Sequence, residues 1–196
     1  MNSADFTSDE LIEQISRYLD TTLSAHRYAH SVSCAYTCKA LAVKFGVDPE
    51  IAFFTGLAHD IAREYSNEDL IRYAAEDGKP ITEIYYASPM LLHGRSGATV
   101  LQKKFGIEDK SVLDAIRVHT TGDACMDALA KILFVADYIE PRRDHMTREF
   151  YSSLEGLTLD GMVYTVLDGT LKHLAKKGKS VAPEAINLKR ELELAK

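Results

Sequence analysis

Six residues of this chain pair metal-binding or proton-carrying side chains with neighbours that belong in a core. His59 and Asp60 stand together in IAFFTGLAHDIAREY, His30 lies in HRYAHSVSCAYTCKALA, His93 opens HGRSGA, His119 ends VLDAIRVH, and Asp137 interrupts KILFVADYI. A carboxylate buried in ionised form is costly without a partner, so Asp60 and Asp137 each need a cation, an arginine or a hydrogen-bond network. Imidazole nitrogens and carboxylate oxygens suit iron, manganese, zinc or nickel, and one ion could compensate both aspartates. Asp60, with two oxygens, could also bridge two ions. Taken singly, each residue has a plainer reading. A core histidine is more often a satisfied hydrogen-bonder than a ligand, and Asp137 could pair with Lys131 or an arginine.

The elements that must position these groups read as helices. Thr7-x-x-Glu10 is a capping box before LIEQISRYL, whose apolar residues recur at helical spacing. Asp48-Pro49 is a cap with proline at the first helical position, and it opens a helix expected to run through EIAFFTGLAHDIAREY. On that helix His59 and Asp60 would differ in direction by about 100° and could reach one ion from adjacent sides. Ser66 precedes EDLIRYAAED and Gly78 follows it. Gly106 follows GATVLQKKF, Gly122 closes KSVLDAIRVHTT, and Pro141 stops DALAKILFVADYIE. A further apolar-periodic helix spans about 158–177, and the amphipathic EAINLKRELELAK forms a last one. No alternating strand pattern or internal repeat is present. The expected fold is all-α, a bundle of about eight or nine helices.

Other residues of chemical interest weigh less. Cys34 and Cys38 follow His30 at one-turn intervals, but buried free cysteine usually serves as a small hydrophobe. His26 forms an i,i+4 pair with His30 and lacks a further anchor; His145 and His173 sit among charges and read as solvated. Glu64 is either a partner of a ligating histidine or an exposed helix residue. Tyr85 and Tyr86 are expected at the surface, marking either a homodimer contact or a cover over a ligand.

The 196 residues are 46% hydrophobic and 27% charged, values of an ordinary globular chain, with a net charge of -6. That balance argues against a nucleic acid polymer as partner and leaves a small anionic substrate open, since a metal and a few arginines can supply local positive field. No apolar run approaches the roughly 20 residues of a membrane span. Three cysteines and an acidic, polar beginning point to the cytoplasm.

In the order His30, His59-Asp60, His93, His119, Asp137, the chain resembles the HD superfamily of metal-dependent phosphohydrolases. RYAHSVSCA, GLAHDIAREY, LLHGRSGA and VHTTGDACMDALAKILFVADYIEPRR together resemble one subgroup, the YqeK family of symmetrical diadenosine tetraphosphate hydrolases, over about residues 8–190. The resemblance implies a single HD domain over 1–196, with 180–196 a C-terminal helical extension. It implies iron as cofactor and cleavage of a dinucleoside tetraphosphate into two nucleoside diphosphates by metal-activated water.

Carried over by position, His30, His59, Asp60 and Asp137 would bind the first metal. His93 and His119 would bind a second one bridged by Asp60, or hold phosphate, and Asp60, His93 and His119 form the implied catalytic group. Arg27, Thr120 and the run Asp137, Tyr138, Ile139, Glu140, Pro141, Arg142, Arg143 would contact nucleotide. Arg63, a turn after Asp60, is a candidate phosphate contact, although lysine is the expected residue there. The alternatives are an HD enzyme acting on a mononucleotide, a deoxynucleoside triphosphate or a guanosine alarmone, a catalytically idle nucleotide-binding HD module, and a helical interaction protein whose histidines are merely packed.

Overall fold

Side chains take the orphan amides at most of the helix starts. Asp48 accepts from the amides of Glu50 and Ile51, Ser66 from Asp69, Asp109 from Val112, Asp127 from Ala130 and Thr158 from Gly161. Helices end where glycine adopts a left-handed conformation, as at Gly46 and Gly106. A computed structural model describes residues 8–144 and 146–194. Thr7 of the expected capping box and His145 lie outside the described residues.

The described residues form eleven α-helices and one 3-10 turn: α1 (Asp9–Thr22), α2 (Ala25–Phe45), α3 (Pro49–Ala58), α4 (Asn67–Ala75), α5 (Glu83–Ala87), the 3-10 turn (Pro89–Leu92), α6 (His93–Phe105), α7 (Lys110–Val118), α8 (Ala128–Ile139), α9 (Arg148–Leu154), α10 (Leu159–Lys176) and α11 (Pro183–Leu194). The fold is all-α as expected. The short α5 and α9, which carry little periodic signal, raise the number of helices. No helix among the described residues is long and apolar enough to cross a membrane.

The core forms where α2 crosses α3 and α8, and where α7 packs between α6 and α8. Gly56 sets the α2–α3 distance, because a Cβ there would stand 2.8 Å from both the Ala35 Cα and the Cys38 sulfur. Cys34 and Cys38 are buried in this crossing, and burial pushes the Cys34 thiol well above its ordinary range, consistent with a packing role. The last helix buries Ala185, Leu188 and Leu192, with Leu188 seated over the backbone of Gly122.

Two expectations change. α3 ends at Ala58 instead of continuing through IAREY, and residues 59–64 fold as consecutive tight turns, with Ile61 N–H bonded to Ala58 O and Arg63 N–H to Asp60 O. The cause is the His59 ring, whose Nδ1 bonds the Gly56 carbonyl at 2.7 Å, the acceptor that a continuing helix needs. Tyr85 is buried, not exposed: it joins Leu70, Ala74 and Leu92 in a small second core beside Arg95, while Tyr86 faces solvent.

Candidate metal centre

Four imidazoles are each held from behind through Nδ1. The Nδ1 atoms of His59, His93 and His119 bond the carbonyls of Gly56, Met90 and Ile116 at 2.7, 2.6 and 2.8 Å. The His30 Nδ1 bonds the Glu140 carboxylate at 2.9 Å. A carbonyl or an ionised carboxylate only accepts, so each of these Nδ1 atoms carries a proton, and the Nε2 atoms point forward into one space. There His30 Nε2 stands 3.3 Å from His59 Nε2, and His93 Nε2 stands 2.9 Å from His119 Nε2.

Two carboxylates complete the cluster. Asp137 Oδ1 lies 3.0 Å from His30 Nε2 and 3.7 Å from His59 Nε2. Asp60 faces both sides: Oδ2 is 3.7 Å from His59 and 3.8 Å from His30, while Oδ1 is 3.1 Å from His93 and 3.8 Å from His119. Three overlapping sets of ligand atoms therefore converge: His30, His59 and Asp60; His59, His119 and Asp137; Asp60, His93 and His119. No cysteine joins these sets among the described residues. The four histidines and Asp60 are almost fully buried.

The charges show what the cluster lacks. Burial alone would raise the Asp60 pKa, yet His59 and His93 hold it far below the ordinary carboxylate value. Burial opposes a proton on His59, but the Asp60 charge and a hydrogen bond to Asp137 raise its pKa well above the usual histidine value. His119 goes the other way, pushed down to about 3 by burial and by His93 and His59. Without a cation, a second proton on His59, at Nε2, would take up part of the negative charge that a metal would balance, and a bound metal would take that proton's place. Facing lone pairs around one buried and one half-buried carboxylate fit a divalent metal better than any other occupant.

Three guanidiniums surround this centre. Arg27 Nη1 is 3.7 Å from Asp60 Oδ2, and Arg63 Nε is 3.9 Å from Asp60 Oδ1. Arg143 bonds the Asp137 carboxylate and its carbonyl, and lies 3.3 Å from His30 Nε2. Burial lowers the Arg63 pKa, Asp60 opposes this, and nearby Arg27 and Arg143 add to it. The Thr120 hydroxyl is 3.3 Å from His93 Nε2 and 3.5 Å from His119 Nε2. A cleft of about 560 Å³ opens above, lined by Arg63, His119, Thr120, Asp137, Tyr138 and Arg143 among others.

The run 137–143 divides. Asp137, Tyr138 and Arg143 line the cleft, Ile139 is in the core, Glu140 is buried behind His30, and Pro141 and Arg142 are exposed at the turn. Lys131 pairs with Asp160, not Asp137. Glu64 caps Ser24 and touches no ligating histidine. Sequence reasoning missed the partnership of Glu140 with His30, and missed His173, which is exposed but lines the cleft with Phe134 and Thr170. His173 lies near the end of α10, a helix that no motif marks.

The HD domain family model matches residues 27–142. A symmetrical bis(5'-nucleosyl)-tetraphosphatase from Halalkalibacterium halodurans is 34% identical over 84% of this chain and 87% of its own. Another protein of that name, from Bacillus subtilis, is 33% identical over 83% of this chain and 87% of its own. The crystal structure of a predicted HD superfamily hydrolase involved in NAD metabolism, from Clostridium acetobutylicum, superposes with a TM-score of 0.89 at 32% identity, covering 94% of this chain and 98% of that one.

Proposed function

The chain belongs to the HD domain family, and we infer that it is a metal-dependent hydrolase that cleaves diadenosine tetraphosphate and related dinucleoside tetraphosphates symmetrically into two nucleoside diphosphates, as its similar relatives are named for doing. The observation that carries this reading is the convergence of four imidazole Nε2 atoms and two carboxylates under a ring of arginines. His30, His59, Asp60 and Asp137 would hold one metal, and Asp60, His93 and His119 a second. When bound, such ions acidify water and offset the charge of phosphoryl oxygens. Iron is our proposal for the ion, and manganese, zinc or nickel suit the same donors.

The residues of the chain divide the remaining work. Asp60 joins the two histidine pairs, since each of its oxygens faces one of them. Arg27 and Arg63 stand too far from Asp60 for tight hydrogen bonds, which leaves guanidinium donors for phosphate oxygens. Arg143 offers a third cation at the opposite edge, beside Tyr138. Thr120 can donate to a phosphate oxygen between them. Glu140 fixes His30 and does not itself face the cleft. The free cysteines of the chain suit a reducing, cytoplasmic setting.

Incubating the iron-loaded protein with diadenosine tetraphosphate and resolving products by ion exchange tests the reading. Two molecules of ADP per substrate are expected. AMP with ATP, or no turnover beside rapid hydrolysis of a deoxynucleoside triphosphate, would overturn it.

A further inference from the structure

Residues 63–65 leave the metal centre in three directions. Arg63 turns toward Asp60, with Nε 3.9 Å from Oδ1. Tyr65 is tied to α1 and α6: its hydroxyl bonds that of Tyr18, to which Lys104 Nζ donates at 2.9 Å. Glu64 reaches the start of α2, where it accepts the Ser24 backbone amide at 2.5 Å and the Ser24 hydroxyl at 3.0 Å. Ser24 is the N-cap of α2, and a serine in that place ordinarily turns its oxygen to an amide of its own helix. Here the hydroxyl is given to Glu64, and the start of α2 is fastened to the turns that carry Arg63. Three residues after Ser24 comes Arg27, whose Nη1 lies 3.7 Å from Asp60 Oδ2. The two arginines thus approach the two oxygens of one carboxylate, and with Glu64, Tyr65 and Met90 they line an opening of about 440 Å³.

We propose that Glu64 is a positioning residue: by holding the start of α2 against the 59–64 turns, it fixes the spacing of Arg27 and Arg63, so that both guanidiniums meet the oxygens of one bound polyphosphate. The proposal rests on the activity inferred above and adds what sets the two arginines in place. Burial holds the first turn of α2 only loosely, since Leu23 before it and His30 after it are buried while Ser24, Ala25 and His26 are exposed. The turns that carry Arg63 have Tyr65 as their own anchor on α1. Asp60 does not set the spacing by itself, because at 3.7 and 3.9 Å neither guanidinium is tightly bonded to it. Glu64 is the chain neighbour of Arg63 and bonds the residue three before Arg27, and so closes a ring that has Asp60 on its far side. Glu64 is itself exposed, so its bonds contribute little to overall stability, and the consequence of losing them falls on the arginines.

Glu64→Ala and Glu64→Gln in the metal-loaded enzyme, with Glu64→Ala also combined with Arg27→Gln, test the assignment. Each is measured for kcat/KM on diadenosine tetraphosphate and, by calorimetry, for the Kd of ADP. Glu64→Ala is expected to lower kcat/KM and the affinity for ADP about tenfold each with metal content unchanged, since a small misplacement of aligned groups is enough. Glutamine keeps an acceptor for the Ser24 amide and can donate to its hydroxyl, so Glu64→Gln should lose less than threefold. A spacing matters only while both arginines are present, so adding Glu64→Ala to Arg27→Gln should cost less than a further twofold. A Glu64→Ala variant within twofold of wild type in both quantities, or one that loses as much in the Arg27→Gln background as alone, would overturn the proposal. A wild-type enzyme that binds ADP and leaves diadenosine tetraphosphate intact would instead refute the activity, and the ADP affinities would still decide the role of Glu64.

Discussion

His30 and the other three imidazoles reach one centre by different routes. His59, His93 and His119 each follow the last residue of a helix or 3-10 turn, and each ring takes the carbonyl three residues back. Carbonyls in the last turn of such an element are released from the helical ladder, and that of Met90 accepts the His93 backbone amide as well as its ring. His30 lies inside α2, where the helical ladder already uses the nearby carbonyls, so its ring is fixed from outside by Glu140, 110 residues away. Three ligands are therefore set by local chain geometry and one by tertiary pairing. A carboxylate behind an imidazole also makes that ring more basic, so the His30 side of the centre is the better electron donor.

Removing the metal with a chelator should have the largest effect. Turnover should cease and return on adding iron, and the melting temperature should fall, since a ligand at about 1,000 times its Kd contributes roughly 4 kcal/mol to stability. Calorimetry of the loaded and stripped protein checks this. Glu140→Ala comes next, with metal affinity or activity expected to drop about 10- to 100-fold, while Glu140→Gln, which keeps an acceptor for His30, should lose less. Titration of metal into the stripped variants separates them, and equal affinities would break the contrast between the two kinds of support.

The locally held histidines can be disturbed through Gly94. A Cβ there would stand 2.6 Å from the Ile116 carbonyl oxygen and 3.1 Å from His119 Nδ1, the two atoms of the bond that orients His119. Gly94→Ala should cost about 1 to 3 kcal/mol of stability, as overpacking does, and weaken metal binding. Thermal unfolding measures the first effect. Arg143→Lys should be the mildest change, raising KM roughly tenfold for the loss of a charged hydrogen bond of about 1.5 kcal/mol, with metal content retained. Steady-state kinetics on diadenosine tetraphosphate test it.

Helices with capping side chains and glycine ends were legible because those signals are local, as at Asp48, Ser66 and Gly106. The ligands were legible because His30, His59, Asp60, His93, His119 and Asp137 interrupt apolar periodicity at positions that turn out to be buried or half-buried. The end of α3 was not legible: IAREY continues the helical pattern, and only the His59 ring on the Gly56 carbonyl reveals the break. Nor was the place of Glu140, which reads as part of a run facing nucleotide until the turn after α8 folds it behind His30. The tie between Glu64 and Ser24 joins residues 40 apart in the chain, which no short motif encodes.

The most direct test of the account is the metal-to-protein ratio, measured by elemental analysis of the protein purified under reducing conditions, for wild type, His59→Ala and Asp60→Ala. The account predicts at least one ion per chain in wild type and its loss from both variants while their circular dichroism stays helical. Both variants retaining the wild-type ratio would contradict it.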